Sequence, residues 1–271
     1  MTAVIPVKRR DATSLGEFVP GDQIPGQYVA GMAARNMLIN CGVPINQRAF
    51  AGGELAAGVY GYDRWKAGTG DCNLTIDATT GVWTHTSGPV QQIVEAPEGA
   101  WGKPLTISVE DPSQSVSVSV GGATGTITAG SGRRGVTLTP TGSGNMTVQL
   151  TATNATYSRP QLERGGDATP FEHRLCALEL MLCMRYYQQY SGLRQIQYIG
   201  AVGNAMSAPL AWAAPLRAAP AASLVFEATT NVRQDVSGLS GVTALGGSTF
   251  FIALEAGNTD AQFGIVADAE L

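Results

Sequence analysis

Residues 161–190 read QLERGGDATPFEHRLCALELMLCMRYYQQY, and the spacing of apolar side chains changes within this stretch. Before it, the chain consists of short runs rich in Val, Ile and Thr, which are separated by glycine, proline, asparagine or aspartate. From His173 onwards, apolar residues recur every three or four positions, which is the period of an α-helix. We therefore predict that one helix over residues 173–191 connects two β domains.

The residues before the helix predict a two-sheet antiparallel β-sandwich over residues 36–172. Short runs such as CNLTIDA, LTISVED and NMTVQLTATNATY end at turn-forming residues. The clearest strand lies in residues 115–120, where Val116, Val118 and Val120 point to one side and the serines to the other. Many short strands with tight turns are typical of a jelly roll.

The two ends of the chain predict two further parts. Residues 1–35 contain several prolines, which block a helix and weaken a strand ladder, so we expect an extended arm that packs against something else. Residues 192–271 return to strand-like runs such as STFFIALEAG and predict a smaller C-terminal β-sandwich. The predicted fold is mainly β: an extended arm, a jelly-roll β-sandwich, one connecting α-helix and a smaller sandwich.

The predicted helix is apolar around most of its circumference. Its main stripe consists of Leu175, Leu178, Leu182 and Tyr186. Such a surface has to be covered, either by the same helix of other subunits or by the chain's own sandwich. We expect self-association along this stripe, and docking on the chain's own sandwich is the alternative.

The composition argues against several classes of function. The chain has 17 basic and 21 acidic residues and a net charge of −4, which does not favour binding to nucleic acid or to an anionic membrane. We recognise no signal peptide and no apolar run long enough for a membrane span, so we expect synthesis in a cytoplasm and no membrane insertion. The four cysteines have no CxxC spacing and no neighbouring pair of histidines, so we expect no metal and no other cofactor.

No arrangement of residues predicts catalysis, and we expect the chain not to be an enzyme and to have no catalytic residues. The two histidines, His85 and His173, lie far apart in the sequence, and His85 falls in a strand, where we expect a structural role. The segments GTGDC and GSGRRG are rich in glycine, but neither precedes a helix, as a phosphate-binding loop would. The carboxylates of Glu110 and Asp111, and of Glu95 and Glu98, leave glycan cleavage open as an alternative.

Sugar binding requires a less specific arrangement of residues than catalysis does. An exposed aromatic ring with polar groups beside it is sufficient. Trp101 lies in the turn-rich stretch PEGAWGKP and is the preferred candidate, whereas we expect Trp65 in the core. The other candidate ligand-binding residues are Trp83, Tyr62, Trp212 and Asn204.

Four stretches resemble parts of bacteriophage tail-fibre and receptor-binding proteins. The stretch LGEFVPGDQIPGQYVA looks like their N-terminal virion-anchoring peptide, and RNMLINCGVPINQRAF with YGYDRWKAG looks like the opening of their carbohydrate-binding-module-like jelly roll. The stretch RPQLERGGDATPFEHRLCALELMLCMRYY is similar to the close of that domain and the helix after it. The segments APLRAAPAASL and ADAEL resemble the C-terminal tip domain.

The chain departs from this pattern at Cys41, Gly42 and Val43, where the family commonly has a turn of the Gly-Asp-Phe type. Some related modules place a structural calcium ion near this edge. The missing acidic residue argues against such a site here.

The resemblance implies a structural and adhesion protein of a phage virion. Residues 1–35 would dock on a tail, baseplate, collar or capsid protein, the helix would hold a homotrimer together, and the β domains would bind host cell-surface polysaccharide. Two alternatives remain, a purely structural head, collar or baseplate fibre without a ligand, and a glycan-cleaving tailspike. In each case we expect the protein in the virion.

Overall fold

The structure is a computed structural model that describes Val7–Arg9, Leu15–Glu17 and residues 35–271. The two N-terminal segments are short strands, β1 (Val7–Arg9) and β2 (Leu15–Glu17), which pair in antiparallel fashion. The rest of the predicted extended arm, residues 1–6, 10–14 and 18–34, lies outside the described residues.

The larger β domain consists of a six-stranded and a five-stranded antiparallel sheet. The six-stranded sheet has the order β11-β8-β13-β6-β5-β3, and its strands are β3 (Gly53–Leu55), β5 (Cys72–Ile76), β6 (Val82–Ser87), β8 (Leu105–Glu110), β11 (Arg133–Leu138) and β13 (Ala155–Arg164). The five-stranded sheet has the order β10-β9-β12-β7-β4, and its strands are β4 (Lys66–Ala67), β7 (Pro89–Val94), β9 (Val116–Val120), β10 (Ala123–Ile127) and β12 (Met146–Thr151).

The strands from β6 to β13 have jelly-roll topology. β6 pairs with β13, β7 with β12, β8 with β11 and β9 with β10. These pairs form one long hairpin, and its successive segments alternate between the two sheets. The hairpin reverses at Gly121 and Gly122, whose φ angles of 54° and 87° fit a two-residue turn of type I′. The predicted jelly roll is confirmed.

The core of this domain lies between the two sheets. Val116, Val118 and Val120 of β9 point into it, as the alternation predicts. The rings of Trp65 and Trp83 meet edge to face there, with centroids 4.9 Å apart. Trp65 therefore belongs to the core, as we expected.

His85 is completely buried, and both of its ring nitrogens are hydrogen-bonded. Nε2 lies 2.8 Å from the carbonyl oxygen of Gly88, and Nδ1 lies 2.8 Å from the hydroxyl of Tyr157. Because a carbonyl can only accept, Nε2 carries the proton and Nδ1 accepts one from the tyrosine. Burial lowers the pKa of His85, and hydrogen bonds to backbone groups offset only part of this shift. Its role is structural, as predicted.

The connecting helix, α1 (Cys176–Met184), is shorter than the predicted helix over residues 173–191. The next strand, β14 (Tyr187–Ile199), already begins at Tyr187 because residues 187–190 pair with residues 265–268 of β19 (Gly257–Asp268). Ser191, the last residue of the predicted helix, and Gly192 instead lie at an irregularity of β14 where its register shifts. Long-range strand pairing therefore overrides the local helical spacing.

The helix packs on the jelly roll with one face and leaves the other exposed. Glu179 accepts a hydrogen bond from the backbone of Asn40, and Cys183 is completely buried. In the helix, 45% of Leu178 and 61% of Met181 are exposed, and 80% of Leu175, the extended residue just before the helix, is exposed as well. Docking on the chain's own sandwich therefore covers one face of the helix. Only the exposed face is left for the self-association that we expect.

The prediction for the rest of the stripe needs correction. Leu182 is half-buried. Tyr186 is buried within its own chain, where the guanidinium of Arg64 lies 3.5 Å from its ring centre. Tyr186 follows the end of the helix, so it cannot line a helical axis shared between subunits.

The smaller C-terminal domain is a sandwich of two three-stranded antiparallel sheets, as predicted. One has the order β14-β19-β16, with β16 (Ala221–Thr230) and β19 (Gly257–Asp268). The other has the order β15-β18-β17, with β15 (Ala205–Ala211), β17 (Val232–Ser240) and β18 (Gly246–Ala253). Its separate core includes Met206, Phe251, Phe263 and Ile265. Within the described residues, no helix has the length and apolar character that a membrane span needs.

The depressed pKa of His85 predicts that acid destabilises the fold. Below the ordinary pKa of 6.5 the unfolded chain binds a proton at this residue, whereas the folded chain binds it only at lower pH. The contribution of His85 to the free energy of unfolding is complete above pH 6.5. As the pH falls from 6.5 to the pKa of the folded state, this contribution decreases by at most about 1.4 kcal/mol per pH unit. His85→Gln is expected to remove this part of the slope in urea denaturation between about pH 7 and pH 5. The control His173→Gln changes an exposed histidine, and equal slopes in both variants would contradict the prediction.

Candidate functional site

Trp101 lies in an open hollow at one end of the jelly roll. The hollow has a volume of about 380 Å³ and lies between the loop before β8 and the loop before β12. The indole Nε1 donates a hydrogen bond to the carbonyl oxygen of Gly144 at 3.0 Å, and the ring is half-buried. The same two loops are joined by a hydrogen bond from the backbone of Ala96 to the side chain of Asn145. Trp101 is therefore held in place and still reaches the surface.

Glycines make room for the ring of Trp101. A Cβ atom at Gly121 would lie 2.5 Å from Cζ3 of the indole, and one at Gly142 would lie 2.9 Å from the same atom. Gly121 is also the first residue of the type I′ turn at the end of the β9–β10 hairpin. The turn that closes the jelly-roll hairpin thus also supports the candidate ligand-binding ring.

Polar groups surround this hollow. Glu98 and Ser143 line it and are exposed, and the backbone oxygen of Glu98 accepts a hydrogen bond from Arg164 at 2.6 Å. An aromatic face with a carboxylate and a hydroxyl beside it can stack on a sugar ring and bind its hydroxyl groups. The hollow therefore offers the kinds of group that sugar binding requires.

Three of the predicted ligand-binding rings lie in the core, which corrects those predictions. Trp83 is 0% exposed and packs between the rings of Trp65 and Tyr157. Tyr62 is buried, and its hydroxyl accepts a hydrogen bond from the backbone of Ile76. Trp212 is buried in the smaller sandwich, with its indole nitrogen bonded to the backbone of Thr243. None of the three rings presents a face to a ligand.

Asn204 is exposed in the turn before β15, and its backbone oxygen accepts a hydrogen bond from Ala253 at 2.9 Å. Its proposed contact with a ligand stays a prediction.

Two of the four carboxylates that left glycan cleavage open are engaged in ion pairs, whereas Asp111 accepts a hydrogen bond from the backbone of Gly132 and Glu98 is exposed in the hollow at Trp101. Glu110 lies 2.6 Å from the guanidinium of Arg159. Glu95 lies 2.9 Å from that of Arg185, and it also accepts a hydrogen bond from Tyr186. Among the described residues, no group of three or more His, Cys, Asp or Glu side chains could hold a metal ion.

Comparisons with known proteins do not identify a family. The sequence matches no family model, and no curated protein sequence matches it. Among solved structures, a point mutant of salicylate 1,2-dioxygenase from Pseudoaminobacter salicylatoxidans shows 13% sequence identity over 69% of this chain and 70% of that chain. The TM-score is 0.13, so this likeness carries no argument about fold or activity.

A second polar cluster joins the two sandwiches, and sequence analysis missed it. Arg64 is 1% exposed, and its guanidinium pairs with the carboxylate of Glu270 and donates to the backbone oxygen of Ile93. Its φ of 71° is unusual for a residue other than glycine, so the surrounding contacts have to hold it in place. We call the contact region around Arg64 and Glu270 the junction.

Arg48 is the second cation of the junction. It lies 3.5 Å from Glu270 and 3.6 Å from Asp63, and its guanidinium carbon lies 3.6 Å from the ring centre of Tyr187. Burial raises the pKa of Asp63, while hydrogen bonds from Gln47 and the charge of Arg48 partly offset this effect. The motifs YGYDRWKAG and ADAEL, which carried part of the family resemblance, supply the two sides of this junction.

The support that Gly121 gives to Trp101 can be tested by adding one methyl group. We expect Gly121→Ala to push the indole out of its place, with a loss of about 1 to 3 kcal/mol from overpacking in addition to the strain of a positive φ. Gly122→Ala is the matched control because its φ of 87° is also positive and no atom lies within 4 Å of the new Cβ. Urea denaturation and tryptophan emission measure the two effects. Equal stability losses and unchanged emission in both variants would contradict this account.

Proposed function

We propose that this chain is a structural and adhesion protein of a phage virion that binds host cell-surface polysaccharide. The observation that carries the binding part is the hollow at Trp101, where an immobilised aromatic ring lies beside an exposed carboxylate and an exposed hydroxyl. The virion part rests on the resemblance of four sequence stretches to tail-fibre and receptor-binding proteins. A jelly roll, a connecting helix and a smaller sandwich in this order are compatible with that resemblance.

In this proposal, three copies of the chain form a homotrimer. The exposed side chains of Leu178 in α1 and of Leu175 just before it support self-association, because large apolar side chains at the surface favour burial against a partner. Residues 1–35 dock the protein on a tail, baseplate, collar or capsid protein. The three weak sugar sites of one trimer together raise the avidity for polysaccharide about 10² to 10⁴-fold over the affinity of a single site.

The chief alternative is a purely structural head, collar or baseplate fibre without a ligand. It predicts that the chain binds no host polysaccharide at any density of copies. A glycan-cleaving tailspike is a third interpretation, and it predicts the release of reducing ends when the protein is incubated with host polysaccharide. Binding without such release favours the adhesion protein.

Trp101→Ala is expected to weaken binding to host polysaccharide at least about tenfold, which corresponds to about 1.4 kcal/mol. The reason is the loss of the stacking face, and titration calorimetry or binding to whole cells provides the measurement. The control Tyr198→Ala removes a ring that is 69% exposed on the smaller sandwich. If Tyr198→Ala abolishes binding and Trp101→Ala does not, the receptor site lies in the smaller sandwich and the role of Trp101 is wrong.

The double substitution Leu175→Asp and Leu178→Asp is expected to convert a trimer into monomers, as measured by light scattering. Both side chains are exposed in the single chain, so charges there leave each subunit folded. Leu245→Asp with Leu254→Asp is the matched control because these leucines are also exposed but lie in the smaller sandwich. A monomeric wild type would refute self-association through α1.

A further inference from the structure

Each sandwich has its own hydrophobic core, and the junction between them is mainly polar. The core of the jelly roll and that of the smaller sandwich form two separate clusters of buried residues. The contacts across the junction include ion pairs, hydrogen bonds and cations above aromatic rings. Contact regions of this kind between domains are compatible with relative motion. The two sandwiches can therefore separate without exposing either core.

Residues 269–271, which follow β19, form the centre of the junction. The backbone N–H of Ala269 donates to the carbonyl oxygen of Tyr186 at 2.8 Å, directly after the helix. The backbone oxygen of Leu271 accepts hydrogen bonds from the hydroxyl of Tyr60 and from Nζ of Lys66, each at 2.7 Å. Residues 269–271 thus tie the end of the smaller sandwich to the jelly roll and to the segment that follows α1.

The ion pair of Arg64 and Glu270 dominates this contact. Both side chains are almost completely buried, and the other groups on the Arg64 guanidinium are uncharged, namely the oxygen of Ile93 and the ring of Tyr186. Removing the carboxylate leaves a buried guanidinium without its counter-charge, which is more costly than exposing it to water. The junction is therefore expected to open when Glu270 loses its charge.

We infer that residues 269–271 are a latch that fixes the orientation of the smaller sandwich, and that the ion pair of Arg64 and Glu270 is its release point. When the latch opens, the smaller sandwich turns about the segment between α1 and β14 while both cores stay folded. Glu179 and Arg174 keep α1 on the jelly roll, since they bond to Asn40 and Leu38. This property does not depend on the proposed adhesion function, because it rests only on the contacts of the junction.

Hydrogen exchange of the full chain tests the latch at three amides of the junction. The N–H groups of Arg64, Arg217 and Ala269 donate to Glu270, Arg185 and Tyr186 respectively. We expect Glu270→Gln to speed exchange in the peptides that contain these amides at least about tenfold, with unchanged exchange in β12 and β18. Tyr60→Phe removes one hydrogen bond to Leu271 and is expected to cause a smaller increase at the same places.

Asp260→Asn is the matched control, because Asp260 forms an exposed ion pair with Arg194 on the smaller sandwich. It is expected to leave exchange at the junction at the wild-type rate. Wild-type rates at the junction in both latch variants would overturn the inference. An equal rise in β12 and β18 would also overturn it, since Glu270 would then stabilise the whole fold. If Glu270→Gln does not fold, the result for Tyr60→Phe alone decides.

Discussion

The antiparallel pairing of β9 with β10 across two glycines is the constraint on which the jelly roll depends. The type I′ turn at Gly121 and Gly122 sets the register of this hairpin, and the register determines which side chains of β9 enter the core. The same hairpin continues through the pairs β8–β11, β7–β12 and β6–β13. A shift of one residue at the turn would turn the valines of β9 outwards and the serines inwards.

The place of the candidate binding site follows from this arrangement. Loops at the end of a sandwich form few of the hydrogen bonds between strands. Their side chains are therefore less constrained by the fold and are free to contact a ligand. Trp101 lies on such a loop, yet its ring rests on the glycine turn and its indole nitrogen is bonded to Gly144. A ring that is already immobilised loses little conformational entropy when a ligand stacks on it.

The junction follows a different physical rule from the two cores. The cores are held by apolar burial, which is not directional, whereas the junction relies on the buried Arg64 and the half-buried Arg48, which need their counter-charges in specific positions. Such a contact is sensitive to the loss of one group and insensitive to small changes in apolar packing. On the inference of a latch, the relative orientation of the two sandwiches depends on these polar contacts, whereas each core is stabilised by its own apolar burial.

Local patterns in the sequence determined the β character of the chain, the jelly roll, the presence of one connecting helix and the smaller sandwich. Alternation in β9 and turn residues such as Gly121 and Gly122 act over a few positions, so the sequence displays them directly. Tertiary structure decided which rings are exposed, because Trp83 and Trp101 have the same side chain and differ only in what surrounds them. It also decided where α1 ends, through the pairing of Tyr187 with Asp268, and it brought together Arg64 and Glu270, which are 206 positions apart. No local pattern encodes contacts over such distances, since they arise only when the two sandwiches are folded.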